Sequence, residues 1–183
     1  MSLLAVSTFL AVLALAVAAG AIGLLLWATA SRFAPGPAEA LQSARAGLGP
    51  LALWLAFAVA LVSTLGSLYL SEVARLVPCT LCWYQRIAMY PLALLLGIAA
   101  VRGDLGVRRY AVPVAGIGAL IAAYQVALQR LPGLPSGSCS LDVPCSAIYI
   151  ERFGFVTIPV MALIGFVAIV VTLTVLTPRR SDS

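Results

Sequence analysis

The sequence predicts an all-α transmembrane protein of five spanning helices. Its 183 residues are 63% hydrophobic and 9% charged, with a mean hydropathy of +1.10. Soluble domains carry roughly 25% charged and 45–50% apolar residues, so a water-soluble core cannot absorb this surplus. The apolar residues are also collected into five long runs, and a bilayer requires ~20 of them for each helical span. In lipid the backbone finds no water to bond, so each run is expected to be helical.

The first run occupies residues 1–31, with the apolar stretch Leu3 to Ala30. No Lys or Arg precedes that stretch, and it is far longer than the ~7–15 residues of a signal-peptide core. A retained membrane helix is therefore expected. Pro35-Gly36-Pro37 opens a polar linker that ends near Pro50. The second run is 46–71, between Arg45 and Glu72. The third runs from Thr80 to Val101, interrupted only by Arg86. The fourth is Tyr110 to Gln129, and the fifth Phe153 to Thr177.

The formal charge is +5, and all eleven cationic side chains are Arg, with no Lys and no His. The arginines are scattered between apolar runs and form no stripe, which argues against a nucleic-acid partner. The absence of His removes the commonest general base and metal ligand. Chemistry must then rest on Cys, Arg, carboxylates, Tyr or a cofactor.

Five spans place the termini on opposite sides. Arg32, Arg45, Arg102, Arg108, Arg109, Arg179 and Arg180 fall on one side, and Arg75, Arg130 and Arg152 on the other. The positive-inside rule assigns the larger set to the cytoplasm. The segments Glu72–Cys79 and Arg130–Arg152 then face outward, and all four cysteines lie on that outer side. That agrees with disulfide chemistry, which persists outside the reducing cytosol.

The cysteines form two local pairs. Cys79-Thr80-Leu81-Cys82 is a C-x-x-C that follows Pro78 and opens the third span, while Cys139 and Cys145 enclose five residues. The first turn of a helix offers free N–H groups and the positive end of its dipole. A thiolate, the reactive form of cysteine, is favoured there. Arg86 shares the helical face of Cys79 and Cys82, one turn deeper at ~6 Å. It can stabilise a Cys82 thiolate, or donate to a carbonyl oxygen that gains charge on reduction. Intramembrane charge is costly and marks function by default.

The second pair lies in a loop rich in Pro, Gly and Ser, expected to be exposed and mobile. A bond closing so short a loop gains little from chain entropy. Exposed, strained disulfides are the oxidising ones, suited to reduction by a partner thiol. Two static disulfides are the competing reading. No metal site is expected, because the five-residue gap is long for half of a four-cysteine zinc site. Trp83, Tyr84, Tyr90 and Tyr149 read as interfacial belt residues. Tyr124 and Gln125 read as interhelical polar contacts.

The stretch Tyr69-Leu-Ser-Glu-Val, the motif Pro78-Cys-Thr-Leu-Cys-Trp-Tyr-Gln-Arg86 and Met89-Tyr-Pro91 resemble the DsbB family of disulfide-generating membrane proteins. Cys139 to Cys145, Tyr149-Ile and Phe153-Gly-Phe-Val-Thr-Ile-Pro159 are similar to its short-loop, BdbC-like branch. The resemblance covers about residues 50–177. It implies a transmembrane four-helix bundle over 50–178, here with one additional N-terminal transmembrane helix and cytoplasmic linker in 1–49 and a cytoplasmic tail in 179–183. It implies a bacterial inner or plasma membrane location.

The resemblance further implies Cys79–Cys82 and Cys139–Cys145 disulfides that pass electrons in series. A thioredoxin-like DsbA/BdbD-type thiol oxidase would attack Cys139, and Cys145 would pass electrons to Cys79. Cys82 would then meet a quinone, ubiquinone or menaquinone, with the help of Arg86. Vitamin K epoxide reductase-like proteins join similar pairs, but there the loop pair precedes the C-x-x-C. A non-enzymatic membrane protein with structural disulfides is the alternative outside the enzymes.

Overall fold

In a computed structural model the described residues form five long helices. The structure describes residues 3–31, 33, 35–131, 133, 134, 139 and 143–177, with the backbone alone described for 35–42 and 44–46. The tail 179–183 that was expected to be cytoplasmic, with Arg179 and Arg180, lies outside the described residues, as do Arg32 and the Arg45 side chain. The helices are α1 (Leu3–Ala30), α2 (Pro35–Leu68), α3 (Thr80–Arg102), α4 (Arg108–Arg130) and α5 (Ile158–Val175). Each contains a segment long and apolar enough to cross a membrane.

Two boundaries differ from the sequence expectation. The polar linker is not a loop: α2 begins at Pro35 and runs through Pro50. Prolines 35 and 37 sit in its first turn, where a missing N–H costs nothing. The following Ala, Glu, Leu and Gln residues are strong helix formers. The fifth run is not helical from Phe153. Glu151–Arg152 and Val156–Thr157 pair as a two-residue antiparallel ladder, and α5 starts only at Ile158. Phe153 and Gly154 turn that hairpin with φ of 55° and 75°. Pro159, in the first turn of α5, again suits a helix start.

In lipid no hydrophobic force joins the helices, so close packing of small residues must do so. The core between α2, α3, α4 and α5 follows that rule. Ala56, Ala60, Ala93, Ala115 and Ala122 bring the backbones together around Leu92, Leu96, Phe166 and Ile169. Gly118 on α4 leaves the space that the Phe166 ring fills, and a Cβ there would overlap it. Gly103 ends α3 with φ 65°, the left-handed cap that glycine adopts freely. Asp104 then accepts from the Gly106 N–H at 2.8 Å and fixes the short passage into α4. The additional helix α1 packs along α5, where Ala21 meets Ala168, Val171 and Val175.

Candidate redox site

The site is built at the end of the bundle where α3 begins and α4 ends. Cys79 is the N-cap of α3, with extended backbone, and its sulfur accepts from the Cys82 N–H at 3.4 Å. One turn of helix therefore brings the two sulfurs to one another, 2.6 Å apart. That separation puts the two sulfurs within reach of one another, as exchange between a dithiol and a disulfide requires. Cys79 is 3% exposed, and Cys82 is half-buried. The hydrogen bond with Cys82, together with burial, pushes the Cys79 thiol up from its ordinary value.

Gln125, in the last turns of α4, reaches across to this pair. Its Nε2 lies 3.1 Å from the Cys79 sulfur, 3.4 Å from the Cys82 sulfur and 3.4 Å from the Cys145 carbonyl oxygen. Its Oε1 accepts from Gln85 Nε2 at 2.7 Å. Because Gln85 occupies that oxygen, the amide is turned with its N–H groups toward sulfur. An N–H aimed at a sulfur stabilises the sulfur when it is negative.

The second pair is closed as a Cys139–Cys145 disulfide, with Cα atoms 5.8 Å apart. Its loop is not exposed and mobile throughout, as its composition suggested. Among the described residues, Cys145 is 1% exposed and Cys139 is half-buried. The end of α4 holds the returning chain. Gln129 Nε2 donates to the Ala147 carbonyl at 3.1 Å, and the Thr157 hydroxyl donates to Gln129 Oε1 at 2.8 Å. Arg130 donates to Glu151 and to the Phe155 carbonyl, each at 3.0 Å. Composition alone signalled Pro, Gly and Ser, and the side chains that tie the loop down come from another helix. Cys79 and Cys145 consequently share one buried cluster with Leu81 and Leu128, and Cys82 and Cys139 pack against it.

On its other side the first pair meets a cavity of about 360 Å³ between α1, α2, α3 and α5. The lining is apolar apart from a few groups, among them Cys82, Gln85, Arg86 and Tyr90. Arg86 does not hydrogen-bond a cysteine. Its Nη2 donates to the Ser67 carbonyl at 3.1 Å, and its guanidinium lies 5.2 Å from the Trp83 ring centroid. Ser67 precedes a π turn at Tyr69–Val73, where backbone pairing shifts from i+4 to i+5. Tyr90 bonds Ser67 Oγ at 3.3 Å and so braces the same spot.

Residues 50–177 match the family described as "Disulfide bond formation protein DsbB". The chain belongs to the DsbB family. It is 48% identical over 132 residues to "Disulfide bond formation protein C" of Bacillus subtilis (strain 168), covering 71% of this chain and 95% of that protein. It is 50% identical over 121 residues to "Probable disulfide formation protein C 1" of Bacillus cereus (strain ATCC 10987 / NRS 248), covering 66% and 87%. It is 48% identical over 115 residues to "Probable disulfide formation protein" of Coxiella burnetii (strain RSA 493 / Nine Mile phase I), covering 62% and 78%. No solved structure matches the chain. The DsbB-family chain is thus a multi-pass membrane helical bundle with an oxidoreductase role in disulfide formation.

In this DsbB-family site all four cysteines fall at one end of the bundle, and Arg86 lines the cavity that Cys82 also touches. Gln125 and Gln85 were not singled out as site residues by the sequence. Their signal was present, since each is an uncharged polar residue inside an apolar span. Tyr90 is not a belt residue: ten residues inside α3, it faces the cavity. Trp83 and Tyr84 are exposed, as belt residues are.

Proposed function

We propose that the protein re-oxidises an extracytoplasmic, thioredoxin-like dithiol and delivers the electrons to a membrane quinone. One observation supports this most: the Cys79–Cys82 pair lies between the second cysteine pair and an apolar cavity with a guanidinium in its wall. The partner is a DsbA/BdbD-type thiol oxidase. Its thiolate attacks Cys139, the more exposed sulfur of the loop bond, and releases Cys145 as a thiolate. Cys145 attacks Cys79 of an oxidised Cys79–Cys82 pair, and Cys82 leaves as a thiolate toward the Gln125 N–H.

The partner's second thiolate then breaks the mixed disulfide at Cys139 and leaves the partner oxidised. Cys139 attacks Cys145, closes the loop bond again and frees Cys79. Two electrons have moved from the partner to Cys79 and Cys82. With the loop bond closed and Cys79 and Cys82 as thiols, the site is ready for their re-oxidation.

The residues around the cavity suit a quinone. The apolar lining takes an isoprenoid tail, and Arg86 and Tyr90 supply donors for ring oxygens. A bound quinone supplies an acceptor for two electrons and two protons. Arg86 holds its place through Ser67 and keeps a positive charge beside the wall where Cys82 gives up electrons. The arginine asymmetry supports an outward-facing cysteine end, since Arg102, Arg108 and Arg109 lie at the opposite end, between α3 and α4. The C-terminus is then cytoplasmic, in a bacterial inner or plasma membrane.

The test is a titration of the reduced protein with quinone, read by thiol alkylation of Cys79 and Cys82. Oxidation of both, saturable in quinone, is expected; static disulfides would not respond. Arg86→Met should raise the half-saturating quinone concentration. One hydrogen bond to a charged group contributes ~1.5–3 kcal/mol, which is roughly tenfold to a hundredfold in affinity. An unchanged quinone dependence would leave Arg86 a purely structural brace of Ser67.

A further inference from the structure

The cavity beside Cys82 has a wall that the DsbB-family match does not include. The match spans residues 50–177, and α1 lies wholly before it. Leu10, Leu13, Ala14 and Val17 of α1 nevertheless line the cavity, opposite residues of α2 and α5. Two contacts hold α1 in register there. Both Arg152 Nε and Nη2 donate to Ser7 Oγ, at 3.0 and 2.7 Å, and Ser7 is 1% exposed. Lower down, Gly66 of α2 lets the Leu10 side chain approach so closely that a Cβ on Gly66 would lie 3.2 Å from it.

A charged donor spent on a serine near the end of a span is a costly way to place a helix unless its position matters. Arg152 belongs to the hairpin that follows Cys145, so the latch ties α1 to the same loop that carries the second cysteine pair. Beyond the latch, α1 packs along α5 and touches α2 sparsely. The space left between α1 and α2 is continuous with the cavity that reaches Cys82 and Arg86.

We infer that α1 is a wall of the quinone site, closing it against lipid and contacting the isoprenoid tail through Leu10, Leu13, Ala14 and Val17. This rests on the quinone reading above and adds to it the element that sets tail recognition. The ring is the business of Cys82 and Arg86; α1 sets how well a tail is accommodated. Ala14 is the smallest of the four lining residues, so bulk there intrudes on the tail first. Phe9 is on the same helix but 65% exposed, away from the cavity, and tolerates bulk without touching the site.

The experiment uses the full-length purified protein with decylubiquinone. The redox state of Cys79 and Cys82 is read against quinone concentration in the wild type, in Ala14→Trp and in Phe9→Trp. Ala14→Trp should raise the half-saturating concentration at least tenfold, while Phe9→Trp leaves it unchanged. Oxidation of the same two thiols by glutathione disulfide, which needs no cavity, should be equal in all three. A second measurement needs no substitution: a ubiquinone with a photoreactive group in its tail should label a peptide within residues 3–30 of the unmodified protein. Equal quinone dependence in all three proteins, or labelling confined to α2 and α5, overturns the role of α1 while leaving the quinone reading intact. A wild type whose thiols are left reduced both by decylubiquinone and by a menaquinone analogue overturns both.

Discussion

Changing Cys82 to Ser is expected to reduce quinone-dependent oxidation of a thiol substrate to the rate seen without protein. Cys82 is the sulfur that both accepts hydrogen bonding from Gln125 and lines the cavity. Without it, Cys79 has no partner within the first pair with which to pass two electrons to the quinone. Serine is close to cysteine in size, and Cys82 is only half-buried, so the bundle should remain folded. The Cys139–Cys145 bond should still be attacked by a dithiol once, after which the protein stalls. Turnover is followed by thiol titration of the substrate with quinone in excess. Turnover near the wild-type rate in a folded Cys82→Ser protein would mean that electrons leave by another route.

Gln125→Leu is expected to slow turnover by roughly tenfold to a hundredfold, since a hydrogen bond to a charged group contributes ~1.5–3 kcal/mol and 1.4 kcal/mol is a factor of ten. The side chain touches both sulfurs of the first pair and the backbone of Cys145, so its loss affects the exchange where Cys82 leaves. The variant also strands the Gln85 amide, which loses its acceptor in the protein interior. An unsatisfied buried donor costs ~1–3 kcal/mol, whereas removing both partners is nearly neutral. Gln85→Leu combined with Gln125→Leu should therefore restore the thermal stability lost in the single variant without restoring the rate. Thermal unfolding in detergent and thiol alkylation kinetics separate the two. Recovery of both together would reduce Gln125 to an interhelical strut.

Much of this was legible in the sequence because a bilayer imposes simple rules. Five apolar runs became five helices, and the start of α3 fell at Thr80 because Pro78 and the N-capping Cys79 mark it. The C-x-x-C and Arg86 were readable by helical register alone. The early start of α2 was not legible because Pro35, Gly36, Pro37 and Pro50 resemble loop punctuation, while the residues between them favour helix. The fifth helix was set too early because Phe153 and Phe155 are apolar yet belong to a tight hairpin whose turn depends on positive φ at Phe153 and Gly154.

The polar clamp of the second loop was illegible for a different reason. Gln129 and Arg130 are separated from Ala147, Glu151 and Phe155 by a loop, and no local pattern pairs them. Gln125 was visible as a polar residue in a span, but its aim is decided by Gln85, forty residues away on another helix. The face that α1 presents to the cavity was equally hidden. Its apolar residues surround the helix, so only packing against α5 and the Ser7–Arg152 latch selects a side.

The central claim is that the two cysteine pairs form one relay, and the most direct measurement traps its middle step. Thiol–disulfide exchange proceeds through a mixed disulfide, so a relay requires a bond between the pairs. Replacing Cys82 and Cys139 together by serine removes both resolving thiols and leaves Cys79 and Cys145, which share one buried cluster. Mass spectrometry of the unreduced protein, after mild oxidation, should show Cys79 joined to Cys145 in most molecules. Free thiols at both positions in a folded protein under the same oxidation would contradict the relay, even if each pair were separately redox-active.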